Sequence, residues 1–127
     1  MKTLRGRVVR GEGLGRKLGF PTANIRISSS ARPPRGVWRV RVRGSAIDER
    51  PAVCNVGVRP TFGGARLVVE VHIPGFKGDL YGRTLIVTFL SSIRAEKKFP
   101  SLAALKARIR RDVASLTSSR DRGTMNA

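Results

Sequence analysis

Apolar residues recur at every second position over several stretches of this chain, and glycines and prolines interrupt those stretches at short intervals. That is the pattern of half-buried strands. The clearest is Val37 to Arg43, in which Trp38, Val40 and Val42 alternate with Arg39, Arg41 and Arg43. Successive strand side chains point to opposite faces, so one face reads as core and the other as solvent. Further strands are expected from Gly6 to Arg10, Pro51 to Val56, Arg66 to Ile73 and Thr84 to Leu90, the last apolar enough to be covered on both faces. Gly57, Gly63-Gly64, Gly75, Gly78 and Gly82 mark the turns. No convincing helix lies between these strands, which argues against βαβ units and favours a small barrel or sandwich.

The period changes after Pro100. Ser101 is a suitable N-cap, and Leu102, Leu105, Ile109, Val113 and Leu116 follow at helical spacing, predicting an amphipathic helix that packs on the strands. Its other face carries Lys106, Arg108, Arg110 and Arg111, read as solvated, with Asp112 four residues after Arg108 and able to pair with it. From Thr117 onward the apolar periodicity ends, so the expected organisation is one domain over residues 1–117 and a disordered tail over 118–127.

A length of 127 residues with 40% hydrophobic and 27% charged content suits one globular domain. No apolar run is long enough for a membrane span, and the N-terminal residues lack the apolar stretch of a secretory signal, so a cytoplasmic location is expected. Cys54 is the lone cysteine, which excludes an internal disulfide or a paired-cysteine zinc site; its apolar setting, Ala52-Val53-Cys54, suits a buried, inert thiol. The formal net charge of +18 would suit a nucleic-acid partner. The cations are spread along the whole chain, however, and aromatic residues make up 6% of it, so stacking platforms for bases are scarce. Phosphate-bearing substrates would also benefit from such a field.

The segment from Gly11 to Asn24 combines four features: several glycines, the cations Arg16 and Lys17, a rigid Pro21, and the oxygen donors Thr22 and Asn24. Glycines let backbone N–H groups approach phosphate oxygens, while cations offset their charge. The segment holds neither GxxxxGK[ST] nor a complete GxGxxG, because Arg16 stands where the last glycine belongs. On these grounds alone it is either an ordinary mobile loop or a phosphate loop.

Its second half, Gly19-Phe20-Pro21-Thr22-Ala23-Asn24, resembles the signature of the riboflavin kinase family. Further blocks follow in that family's order: Gly36-Val37-Trp38, Asn55 to Phe62, Val69 to Ile73, Gly78 to Gly82, Ile93 to Phe99, and the helix bearing Leu105, Ile109 and Asp112. The resemblance spans roughly Gly6 to Leu116. It implies a mainly β fold, a small antiparallel Greek-key β-barrel with a C-terminal α-helix, and transfer of the terminal phosphate of ATP to the 5′-hydroxyl of riboflavin, giving FMN and ADP. By position, Glu70 is the implied catalytic base and Thr22 and Asn24 the implied Mg2+ ligands. Nucleotide contacts fall on Gly11, Arg16, Thr22, Asn24, Ile73 and Tyr81, and flavin contacts on Arg94, Lys97 and Phe99. His72, the only histidine, receives no catalytic role and is expected to be structural.

The chain departs from the family's common pattern at Leu14, Trp38 and Pro74-Gly75. In many bacteria this kind of domain is joined to an FMN adenylyltransferase domain, so the chain is expected to be either a stand-alone enzyme or part of a longer one. No specific nucleic-acid or membrane partner is expected. Two alternative readings are a basic nucleic-acid-binding barrel and a catalytically inactive flavin-binding domain; turnover of riboflavin separates both from the kinase.

Overall fold

The computed structural model describes residues 2–11, 19–28 and 30–126, with side chains described up to Leu116. Six strands among them close into one antiparallel barrel: β1 (Thr3–Val9), β2 (Ala23–Arg26), β3 (Gly36–Gly44), β4 (Ile47–Thr61), β5 (Gly64–His72) and β6 (Thr84–Arg94). The ring order is β1-β2-β5-β4-β3-β6, so the β2–β3 and β5–β6 connections each cross two intervening strands while β3, β4 and β5 follow one another as hairpins. Closure leaves no free sheet edge. One helix, α1 (Leu102–Asn126), follows the barrel. The side chains of residues 117–127 lie outside the described residues, and the tail expected over 118–127 falls there.

The alternation places the interior as expected. Val40 and Val42 of β3, Val69 and Val71 of β5, and Leu85, Val87 and Phe89 of β6 are buried in one cluster, with Trp38 packed against it. Arg41 and Arg43 face outward. Burying such aliphatic side chains stabilises the fold by about 1.5–3 kcal/mol each. A second cluster forms outside the barrel, where Leu116 and Val113 of α1 cover Val37, Val53 and Ile93. Ser101 caps the helix as expected, its Oγ accepting from the Ala104 N–H at 3.1 Å.

Four expectations need correction. Ala23–Arg26 is a strand, although its flanking Gly19 and Pro21 read as loop. Gly57 is not a turn: β4 runs through it to Thr61, and the chain reverses at Phe62 and Gly63, where Gly63 takes a φ of 82°. The outer face of β6 is not covered at Leu90, which is exposed, because α1 packs on β4 and meets β6 at its end, at Ile93 and Arg94. Leu102 does not join the helix's buried face; it is 60% exposed and lines a cavity.

Candidate active site

Side chains on the outer face of β2, β5 and β4 meet in register. Asn24 of β2 is the cross-strand partner of Glu70 of β5, and Glu70 is in turn the partner of Asn55 of β4. Adjacent strands lie about 4.8 Å apart, so the three residues form a polar row roughly 10 Å wide across the barrel wall. Glu70 lies on the face opposite buried Val69 and Val71, as the alternation requires.

One end of this row opens into a cavity of about 580 Å³. Gly11, Thr22, Asn24, Ile73 and Tyr81 all line it, together with apolar Val8, Phe76 and Leu80. Gly11 lies so close to the Asn24 carboxamide that any Cβ there would collide with it. The Tyr81 backbone N–H donates to Asp79 at 2.8 Å, and the Arg10 guanidinium stacks on the Tyr81 ring at 4.8 Å. The approach segment is fixed by His72, whose Nδ1–H donates to the Pro21 carbonyl at 2.7 Å while Phe20 meets its ring edge-on at 5.5 Å.

The other end opens into a cavity of about 390 Å³ lined by Asn55, Arg59, Glu96, Leu102 and Leu105 together with Arg94, Lys97 and Phe99. The structure thus brings the last three together: the Arg94 and Lys97 cations sit 5.4 and 5.7 Å from the Phe99 ring centre. Arg94 is fixed by α1, with Nη2 donating to Asp112 at 2.9 Å and Nε at 3.1 Å; Arg108 adds a third donor at 3.2 Å, the expected pairing within the helix. The Asn55 Oδ1 is buried with no hydrogen-bond partner among the described residues.

A third space of about 480 Å³ lies over Asn24 and Glu70 themselves and is bordered by Arg10, Arg26, Arg59 and Arg66. Arg59 reaches Glu70 at 3.1 Å. This basic rim gives the expected phosphate-friendly field a location. Behind Glu70, burial pushes the Cys54 thiol pKa up, and the Glu70 carboxylate adds to that shift, so the thiol is inert as expected.

Arg16 lies outside the described residues. Leu14 and Lys17 lie outside them too, while every other residue given a catalytic, metal, nucleotide or flavin role lies on this wall or in its two flanking cavities. Sequence reasoning gave no role to Asn55, Arg59 or Glu96. The signal was present, since Asn55, Gly57 and Arg59 keep strand alternation past the point read as a turn.

The sequence model of one family, Flavokinase (riboflavin kinase), matches residues 2–119. The chain belongs to the riboflavin kinase family. It is 46% identical over 109 residues to a bifunctional riboflavin kinase/FMN adenylyltransferase of Escherichia coli K12, a match covering 86% of this chain and 35% of that protein. The corresponding protein of Pseudomonas fluorescens is 46% identical over 114 residues, covering 87% and 36%. This member of the family therefore spans about a third of the length of those relatives. Among solved structures, a riboflavin kinase from Trypanosoma brucei superposes with a TM-score of 0.65 at 28% identity, covering 92% of this chain and 75% of that one. A protein from Streptococcus pneumoniae titled a macrolide-efflux protein superposes with a TM-score of 0.81 at 34% identity, covering 91% and 38%. The riboflavin kinase likeness extends over the whole barrel and most of α1, so both cavities belong to the matched region.

Proposed function

We propose that this chain phosphorylates riboflavin, moving the γ-phosphoryl group of ATP onto the 5′-hydroxyl to give FMN and ADP. The carrying observation is the register Asn24–Glu70–Asn55, which stands one carboxylate between two cavities of contrasting lining. The larger cavity takes the nucleotide: its apolar depth around Val8, Phe76 and Leu80 suits a base, and Thr22 and Asn24 at its mouth suit the phosphates. The smaller takes the flavin, with Phe99 and Leu105 offering apolar surface and Arg94 and Lys97 offering charge to the product phosphate.

In the transfer, the riboflavin oxygen bonds to the γ-phosphorus as the bridging β–γ bond breaks, and ADP leaves. Glu70 orients the hydroxyl and accepts its proton. Such transition states are loose, so positioning and charge complementarity do most of the work.

Thr22 and Asn24 offer neutral oxygens, and the Glu70 carboxylate stands beside Asn24 in register. That is a donor set suited to Mg2+, which keeps several waters and binds with substrate phosphates. When bound, the ion supplies charge neutralisation at the phosphates. The expected nucleotide role of Arg16 and the cytoplasmic location belong to this proposal. FMN adenylylation, named in the bifunctional relatives, is assigned to the part of those proteins that this chain does not match.

The test is incubation with riboflavin, ATP and Mg2+ followed by chromatography of the flavins. FMN as the sole product supports the reading. Bound but unconverted riboflavin would establish an inactive flavin-binding domain, and accumulation of FAD would overturn the division of labour.

A further inference from the structure

Glu70 is not held alone. Arg59 donates Nη2 to Glu70 at 3.1 Å and faces Glu96 with Nη1 at 3.6 Å, and Glu96 also accepts from Arg35 at 3.3 Å. The chain of charges Glu70–Arg59–Glu96–Arg35 links the middle of the polar row to the segment that follows β6, which carries Lys97 and Phe99. Gly57 makes the link possible. The Glu96 carboxylate lies against β4 at Gly57, and a Cβ at that position would run into it.

We infer that Arg59 is a positioning residue that sets the Glu70 carboxylate toward the flavin hydroxyl and, through Glu96, ties that setting to the wall of the flavin cavity. The inference rests on the kinase reading and deepens it. An arginine fits this task because its planar fork is always charged and presents donors in fixed directions, so it can hold two carboxylates at once in set geometry.

A purely structural role fits Arg59 poorly. Its cross-strand partner is Arg66, and like charges directly opposite each other destabilise a sheet. The side chains of Arg59, Glu70 and Glu96 are each a quarter to a third exposed, and ion pairs of that kind contribute little to stability. The arrangement is therefore better explained by what it does to Glu70 than by what it adds to the barrel.

The experiment is a double-mutant cycle on the full chain, read by single-turnover FMN formation at saturating ATP, with thermal melts recorded for every variant. Arg59→Met should lower the rate roughly tenfold in the parent background, and less than about twofold in a Glu70→Gln background, because residues acting through one group are not additive. Arg59→Lys should recover part of the loss. Glu96→Gln should weaken riboflavin binding, read by quenching of flavin fluorescence, by roughly threefold or more. Should Arg59→Met fold poorly, the same cycle with Arg59→Lys reads the same coupling. Equal losses from Arg59→Met in both backgrounds, or unchanged riboflavin affinity in Glu96→Gln, would overturn the inference while leaving an active parent intact. A parent that makes no FMN overturns the kinase reading, and this inference falls with it.

Discussion

Two carboxylates of this protein each sit against arginines, and their surroundings give them opposite uses. Asp112 is 2% exposed and is enclosed by Arg94 and Arg108, which direct two guanidinium groups at its two oxygens. It joins α1 to the end of β6. The Glu70 side chain is 24% exposed, stands on a cavity wall and has Arg59 on one flank. A carboxylate buried among fixed donors fastens two elements together; one that lines a cavity, as Glu70 does, can meet a substrate. The sign of the charge is common to both, and burial separates the roles.

The widest separation should appear in stability. Asp112→Ala removes the carboxylate that holds Arg94, a largely but not fully buried cation, and costs about 3 kcal/mol, the low end for breaking a buried pair. Urea unfolding measures it, and a loss below about 1 kcal/mol would mean that Arg94 relaxes into solvent and the fastening role is wrong. Glu70→Gln tests the other half: folding should be kept while single-turnover FMN formation falls by roughly 10², in the lower part of the 10² to 10⁴ range for general bases because a loose transition state needs little early deprotonation. The barrier change, about 3 kcal/mol, is similar in size to the first effect but appears in rate alone. A Glu70→Gln protein that turns over like the parent would dissolve the contrast. A smaller effect is expected at the nucleotide end, where Thr22→Ala or Asn24→Ala each removes one oxygen donor and should raise the Mg2+ concentration needed for half-maximal rate by roughly tenfold or less. Unchanged metal titrations in both would leave that segment a purely structural strand.

The inner half of the contrast was legible in the sequence and the outer half was not. Period-two alternation located the faces of β3 and β5 and put Glu70 opposite Val69 and Val71. The pairing of Arg108 with Asp112 followed from helix spacing. Register does not follow from either period, so Asn55 and Arg59 could not be placed beside Glu70 in advance. Two local signals also misled. Gly57 reads as a turn because glycine usually marks one; here it makes room for the Glu96 carboxylate within a continuing strand. The run from Thr84 to Leu90 reads as doubly covered, but α1 packs on β4 and reaches β6 at its end, at Ile93 and Arg94, a choice made by tertiary contacts that no single run encodes.

The smallest expected effect sharpens the comparison most, because it concerns a residue on the same face of the same strand as Glu70. His72 is two positions along β5 and, as an imidazole, would be the natural rival for the role of base. Its geometry points elsewhere. The ring nitrogen is committed to the Pro21 carbonyl at 2.7 Å, and Phe20 packs against the ring, so the imidazole holds the segment that presents Thr22 and Asn24. Asparagine at this position keeps a donor on a shorter side chain and loses the aromatic contact. The His72→Asn protein should therefore loosen that segment without touching the proton transfer: the rate at saturating ATP should change by less than about tenfold, under about 1.4 kcal/mol of barrier. The ATP concentration giving half the rate should rise a few-fold, since the loss is in positioning the nucleotide and not in the reacting step. Single-turnover measurements over a range of ATP concentrations separate the two quantities. A His72→Asn protein that is dead at saturating ATP, alongside a Glu70→Gln protein that remains active, would exchange the two residues' roles and place the base at the nucleotide end of the wall.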